Sequence, residues 1–217
     1  MTSCSNLPPF NASDYLFSTT SSILIDAPID KVWSILMDFP SYQKWSVQFV
    51  KTARIMILKD RSRNTFTRSM VLVDYNTRRP LADQKLEVGK YFDMLVNMNP
   101  GDVPEDPNKR DRGDAFAMIS MLEPENYRIS WTAAMFPYFI LRSLRTQALS
   151  VDKETGMTKY ENFEAFGGLL AYLIRYMSSE QLKKGFAGAA NSLKKQAEKN
   201  PAKLRVYLSA DTKHKLA

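Results

Sequence analysis

The longest regular pattern in the chain is an apolar spacing, mostly of three or four residues, running from Gly168 to Lys199. Leu169, Leu170, Leu173, Ile174, Met177, Leu182, Phe186, Ala189, Ala190 and Leu193 carry it, while Arg175, Glu180, Lys183, Lys184, Lys194, Lys195 and Glu198 mark the opposite face. That period predicts one amphipathic helix. At 1.5 Å per residue it would be roughly 48 Å long, and its stripe needs an apolar partner of equal length. The chain before it reads as β-structure. Alternation and β-branched content predict strands at 18–25, 48–57, 90–98, 114–122, 127–134, 144–151 and 158–166. Glu123-Pro124-Glu125-Asn126 and Asp152-Lys153-Glu154-Thr155-Gly156 supply hairpin turns.

Two shorter patterns interrupt the strands. Asp26-Ala27-Pro28 opens a helix whose apolar positions are Val32, Trp33, Ile35, Leu36 and Phe39; Pro40 ends it, and Ser41 to Trp45 reads as a second helical turn. Residues 59–88 fit the sheet less well. Thr65 to Asp74 is strand-like but flanked by charged loops, so the segment reads as an inserted excursion. Residues 99–113, polar and bearing prolines, read as a mobile loop. The expected organisation is a flexible arm over 1–16, one domain over 17–200 and a basic tail over 201–217. The expected fold is α+β: a seven-stranded curved antiparallel sheet wrapped around the long C-terminal helix, with two short helices after strand 1 and a gap between sheet and helix.

Composition changes this picture in two places. Twelve Phe, ten Tyr, three Trp and eleven Met suit either a core of large side chains or an adaptable apolar cavity. The net charge of +7 is local: from Lys183 onward nine basic residues face Glu198 and Asp211, and the rest is balanced. The basic excess therefore belongs to the helix end and tail, with a weak contact to anionic lipid as the minor alternative. It makes no basic groove of the kind nucleic acid requires. The start of the chain has neither a basic n-region nor an apolar h-region, and the longest apolar run, Ala133 to Leu141, is too short to span a bilayer. With Cys4 as sole cysteine, the expectation is a cytoplasmic protein without disulfides.

Metal and nucleotide chemistry have little to work with. His214 is the sole histidine and lies in the tail, so zinc, non-haem iron and His-assisted nucleophiles are not expected. No phosphate-cradling glycine motif is present. An enzyme built from this chain would work without cofactors, through Asp, Glu, Tyr, Arg, Lys, Asn and shape. Alternation on the last strand puts Tyr160, Asn162, Glu164 and Phe166 on one face. If that face lines a cavity, desolvation raises the pKa of Glu164, and it can act as acid or base. The alternative is a solvent-facing carboxylate beside Lys159. Trp131 is either a stacking platform or core. Met135 to Leu141, containing Phe136 and Tyr138, is either a lip at a cavity mouth or a dimer or membrane contact. Arg68 and Tyr75 flank the excursion and either reach a ligand's polar group or belong to a surface hairpin.

Several stretches resemble one superfamily. Ile25-Asp26-Ala27-Pro28-Ile29-Asp30-Lys31-Val32-Trp33 and Asp38-Phe39-Pro40-Ser41-Tyr42-Gln43-Lys44-Trp45 are similar to the opening of SRPBCC (START / birch-pollen-allergen-like) domains, in the polyketide cyclase/dehydrase and lipid-transport branch. Val88-Gly89-Lys90-Tyr91-Phe92 and Thr158 to Leu170 resemble later parts of the same domains. The resemblance implies a helix-grip fold with a deep apolar cavity under the long helix. It implies a bulky hydrophobic ligand (polyketide, terpenoid, sterol or lipid) touched by Trp45, Phe92, Trp131, Phe166 and Leu170. Members of the superfamily include cyclases, aromatases, carriers and sensors, so the expectation is either a cyclase- or dehydratase-like enzyme, in which the strand face of Glu164, Asn162 and Tyr160 would handle protons, or a non-catalytic carrier or sensor.

Overall fold

The computed structural model describes residues 5–42, 67–97 and 112–199. Strands β1 (Phe17–Ile25), β2 (Thr67–Val73), β3 (Tyr91–Asn97), β4 (Arg112–Glu123), β5 (Arg128–Ala133), β6 (Arg142–Val151) and β7 (Thr158–Gly167) form one antiparallel sheet in the order β1-β7-β6-β5-β4-β3-β2. Helix α1 (Ile29–Met37) follows β1, and helix α2 (Leu169–Glu198) ends the described chain. The long amphipathic helix and the strand-rich body expected from the pattern are both present. The expected strand 48–57 and most of the second helical turn, 41–45, lie outside the described residues.

Helix α2 packs along β1 and β7. Leu182 and Phe186 join Phe92, Ile119, Ile129, Trp131 and Phe166 in one core cluster, and Ala190, Leu193 and Ala197 join α1's Val32 and Leu36, with Ile25, Leu149 and Tyr160, in a second. The small residues in the second half of α2 let its backbone come close to α1. Polar clips hold this end. The Lys194 ammonium donates to Leu24 O (2.6 Å) and pairs with Glu198, which accepts the Asp26 N–H (2.8 Å).

The other end of α2 is set by Gly168. Its φ of +83° lies in the left-handed region, and a Cβ there would stand 2.7 Å from Ile140 O. This close approach lets Leu169 N–H reach Phe139 O (3.1 Å) and Leu170 N–H reach Ile140 O (2.8 Å). Backbone carbonyls of the β5–β6 connection thus satisfy donors that the first turn of a helix leaves open.

One part of the sequence reading needs correction. Residues 67–73 are no excursion: they form β2, an edge strand paired with β3 in the main sheet. Met70 and Leu72 alternate into the core, 2% and 0% exposed, and the charged flanks hid that alternation. Gln84 covers the free edge of β2. Its side-chain amide accepts from Leu72 N–H (2.8 Å) and donates to Leu72 O (3.0 Å) and Leu81 O (2.7 Å), a side-chain substitute for a neighbouring strand.

The face of the sheet away from α2 is also covered. Residues 5–16 run across it. Asn6 N–H donates to Glu161 Oε2 (2.9 Å), its Nδ2 to Asn126 O (2.9 Å) and Leu149 O (2.5 Å), and its Oδ1 accepts from the Arg128 guanidinium. Phe10 packs on Phe163 with ring centroids 4.5 Å apart. Strands β6 and β7 are consequently buried on both faces.

Candidate functional site

Strand register arranges the helix side of the sheet in rows. One row reads Thr19, Glu164, Arg145, Trp131, Ile119 from β1 to β4; the next reads Ser21, Asn162, Gln147, Ile129, Leu122. Successive side chains on a strand alternate faces, so these rows share the face that carries Tyr160 and Phe166. A polar cluster therefore sits in the middle of an apolar wall.

Arg145 is its centre. The residue is 1% exposed. Its guanidinium lies 4.5 Å from the Phe186 ring centroid and 5.5 Å from that of Trp131, and its Nε donates to Asn162 Oδ1 (3.2 Å). The rings of sheet and helix clasp the cation from two elements, an arrangement that offsets part of the cost of removing it from water. In the neighbouring row, Asn162 Nδ2, Gln147 Oε1 and Ser21 Oγ are buried and have no hydrogen-bond partner among the described residues. Orphaned polar atoms are rare in folded cores, because each forfeits its hydration. Three in one row mark a place where a water or a ligand oxygen belongs.

Glu164 differs from its neighbours. Asn162 and Tyr160 are buried outright, at 0% and 1% exposure, whereas Glu164 keeps part of its surface accessible. Yet desolvation pushes its pKa from 4.5 to about 7, and the positive charge of Arg145 only partly opposes the rise. Among the described residues Glu164 has neither an ion-pair nor a hydrogen-bond partner. Burial likewise raises the phenols of Tyr160 and of Tyr42, whose hydroxyl donates to Leu36 O (3.0 Å), while Arg145 lowers both.

The residues singled out from the sequence divide into three sets. Trp131, Phe92 and Phe166 are buried on the helix side, Trp131 meeting Phe92 edge-on at 5.6 Å and Phe166 stacking on Phe17 at 5.0 Å. Leu170 is partly buried in the first turn of α2, and Glu164, Asn162 and Tyr160 share their strand face with Phe166. Tyr75 does not approach this group: it packs at a tilt on Tyr91 (4.8 Å) and stacks on Phe116 (6.0 Å) on the opposite face, beside the Arg78–Asp93 ion pair. Phe136 and Tyr138 are exposed on the β5–β6 connection. Arg68 sits at a bulge in β2, and Trp45 lies outside the described residues.

Sequence reasoning missed Arg145, Gln147, Thr19 and Ser21. The hairpin turn at 152–156 carried the signal, since a tight turn dictates which β6 residue faces Glu164. A separate cavity of about 630 Å³ lies on the outer face, between the arm (Leu7, Pro8, Pro9, Phe10) and a floor that includes Thr146 and Phe163. Among the described residues no three His, Cys, Asp or Glu side chains gather as metal ligands, and no helix is long and apolar enough to cross a membrane.

A curved antiparallel sheet gripping one long C-terminal helix, with a short helix after the first strand, is a helix-grip fold. Solved structures with this fold include the Zhui aromatase/cyclase from Streptomyces sp. R1128 (TM-score 0.54, 12% identity, covering 84% of this chain and 93% of that one). A hypothetical protein, jhp0584, from Helicobacter pylori is similar over 88% of this chain and 99% of its own (TM-score 0.57, 10% identity). TTHA0849 from Thermus thermophilus is similar over 83% and 96% (TM-score 0.53, 9% identity). At these identities the likeness is one of fold. No protein-family model and no curated protein matches the sequence.

Proposed function

We propose that the protein encloses a bulky hydrophobic small molecule between the sheet and α2, and acts on it as a cofactor-independent cyclase- or dehydratase-like enzyme. The observation that carries this reading is Glu164: a carboxyl with a pKa near 7, partly accessible, one strand from a buried arginine. Near neutral pH such a group holds a proton about half the time, the condition under which one residue can both take and give it. In its carboxylate form Glu164 removes a proton from a carbon flanked by carbonyls. The enolate attacks a second carbonyl of the same chain, forming a carbon–carbon bond, and the carboxyl returns the proton to the new alkoxide. Loss of water then takes a second carbon-bound proton to the carboxylate and delivers it to the leaving hydroxyl. Arg145 stabilises the developing oxyanion in a site of low dielectric. Apolar walls formed by Trp131, Phe92 and Phe166 would hold the chain in one productive fold, where orientation supplies much of the rate. That the Zhui aromatase/cyclase shares the fold is compatible with this chemistry.

A second reading, a non-catalytic carrier, draws on the complete burial of Tyr160 and Asn162, which leaves Glu164 as the accessible acid–base group. The two are separable. Native mass spectrometry of the purified protein tests for a co-purifying apolar ligand. Incubation of linear polyketone chains with wild type and with Glu164→Gln then tests turnover. Cyclised product from wild type alone supports the enzyme; binding without turnover in both supports the carrier; neither binding nor turnover refutes both.

A further inference from the structure

The β5–β6 connection and the first two turns of α2 make one exposed apolar surface. Met135, Phe136, Tyr138 and Phe139 from the connection, with Leu169, Tyr172, Leu173 and Tyr176 from the helix, are each between 41% and 89% exposed. The helix residues fall at the spacing of a single face. Ala171 and Ile174, on the other side of the same turns, pack in the core. These two turns are thus apolar on both their inner and outer sides, with Arg175 as the one charged side chain, and the outer side lacks any cover from the described chain. The surface is also firm: the bonds from Leu169 and Leu170 to the connection's carbonyls, and the absence of room for a side chain at Gly168, hold the two segments together. Patches of this kind mark a docking site.

Charge selects the occupant. Within 133–142 and 168–176 the charged side chains are Arg142 and Arg175, and neither segment contains an acid. Arg142 lies over Tyr138, 4.2 Å from its ring, and donates to its hydroxyl at 3.3 Å; Asp14 borders the patch, 4.0 Å from Arg142. Further along the helix Lys183 and Lys184 are exposed, Lys183 paired with the exposed Glu180 (3.1 Å), which leaves Lys184 as the added basic charge there. In a two-fold contact between copies this basic, acid-poor surface would face itself, and like charges would repel. An anionic bilayer answers both features. Tyrosine phenols favour headgroup depth, leucine and phenylalanine enter the acyl boundary, and arginines meet lipid phosphates. We infer that this surface docks the protein on an anionic lipid bilayer, with the start of α2 lying in the interface.

The test is flotation of the full-length protein with vesicles of phosphatidylcholine alone, and of equal parts phosphatidylcholine and phosphatidylserine. Wild type should float with the phosphatidylserine vesicles and far less with the neutral ones. Tyr172→Ser combined with Tyr176→Ser, both at exposed positions, should keep the wild-type melting curve and lower partitioning about tenfold. Arg175→Glu should weaken binding to the anionic vesicles but not the neutral ones. The inference is overturned if wild type floats with neither vesicle. It is equally overturned if the tyrosine variant floats like wild type, which would transfer any binding to the basic tail. A dimer in sedimentation velocity that the tyrosine substitutions abolish, without vesicle binding, would assign the surface to a second copy instead.

Discussion

Replacing Glu164 with Gln separates the carboxyl's charge from its shape, and the structure sets both the sign and the size of the outcome. The folded-state pKa is raised from 4.5 to about 7, so between those values the folded protein holds a proton that the unfolded chain releases. Stability from this group is fully present below about pH 4.5 and is lost as pH rises to about 7. A rise of that size corresponds to about 3 kcal/mol. For a domain of this length it amounts to about 6–12 °C in melting temperature. The glutamine variant keeps the side-chain volume and cannot ionise, so it escapes the loss.

The assay is thermal and urea unfolding of both proteins from pH 4 to pH 9, read as the difference between them. Asp74, Asp83, Glu87, Asp152 and Glu198, whose pKa values are lowered by hydrogen bonds to their carboxylates, work in the opposite direction. They lend stability above their unfolded pKa values and lose it in acid. They are common to both proteins and cancel. The variant should gain on wild type as pH rises, with the gain levelling off above about pH 7. Parallel stability profiles would refute the desolvated environment assigned to Glu164, and with it the acid–base role.

Three further perturbations follow from the same geometry. Arg145→Met removes the charge that holds down the Glu164 pKa, so in that background the difference curve should level off at a higher pH than about 7; an unmoved levelling-off point would remove Arg145 from the site. Gly168→Ala should cost about 2–3 kcal/mol in urea unfolding, through backbone strain and the clash with Ile140 O, and wild-type stability would disprove the tight seat at the start of α2. Asn6→Ala should lower stability by about 1–2 kcal/mol by stripping bonds from Arg128, Asn126 O and Leu149 O. It should also speed proteolytic cleavage before residue 17, and unchanged cleavage would show that these bonds do not hold the segment down.

Much of the architecture was legible because its elements are each amphipathic. The period of α2 and the alternation of β3 and β4 were readable since one side of each meets the core and the other does not. Strand β2 was misread for a corresponding reason. Its described buried side chains, Met70, Leu72 and Val73, lie toward its end, and Gln84 bonds its edge from outside the strand, a contact with no local signature. The proline-rich start of the chain looked unstructured, yet Asn6 makes its bonds to positions more than a hundred residues away, which no window of sequence can display.

The site was harder to read for a reason that lies in the layering. A strand covered on one face announces that face by hydropathy, but β6 and β7 are covered on both, by α2 and by residues 5–16. On β6 Leu144, Thr146 and Ala148 turn toward the segment 5–16, while Ser143, Arg145 and Gln147, followed by Leu149, turn toward the helix. Hydropathy around Arg145 itself, between Ser143 and Gln147 on its own face, would send it outward. Register sends it inward, because Arg145 pairs with Glu164, and Glu164 shares its face with Phe166 and Tyr160, both core residues beneath α2. Burying the charge of Arg145, and Gln147 and Asn162 with polar atoms unsatisfied, costs stability. Packing offers no return for it: a leucine at each position would fill the wall better. A chain that keeps Ser21, Gln147 and Asn162 on the helix side of its sheet, with polar atoms that no described residue satisfies, while turning Leu144 and Ala148 the other way, accepts a cost in stability that the proposed binding of a ligand's polar atom would offset.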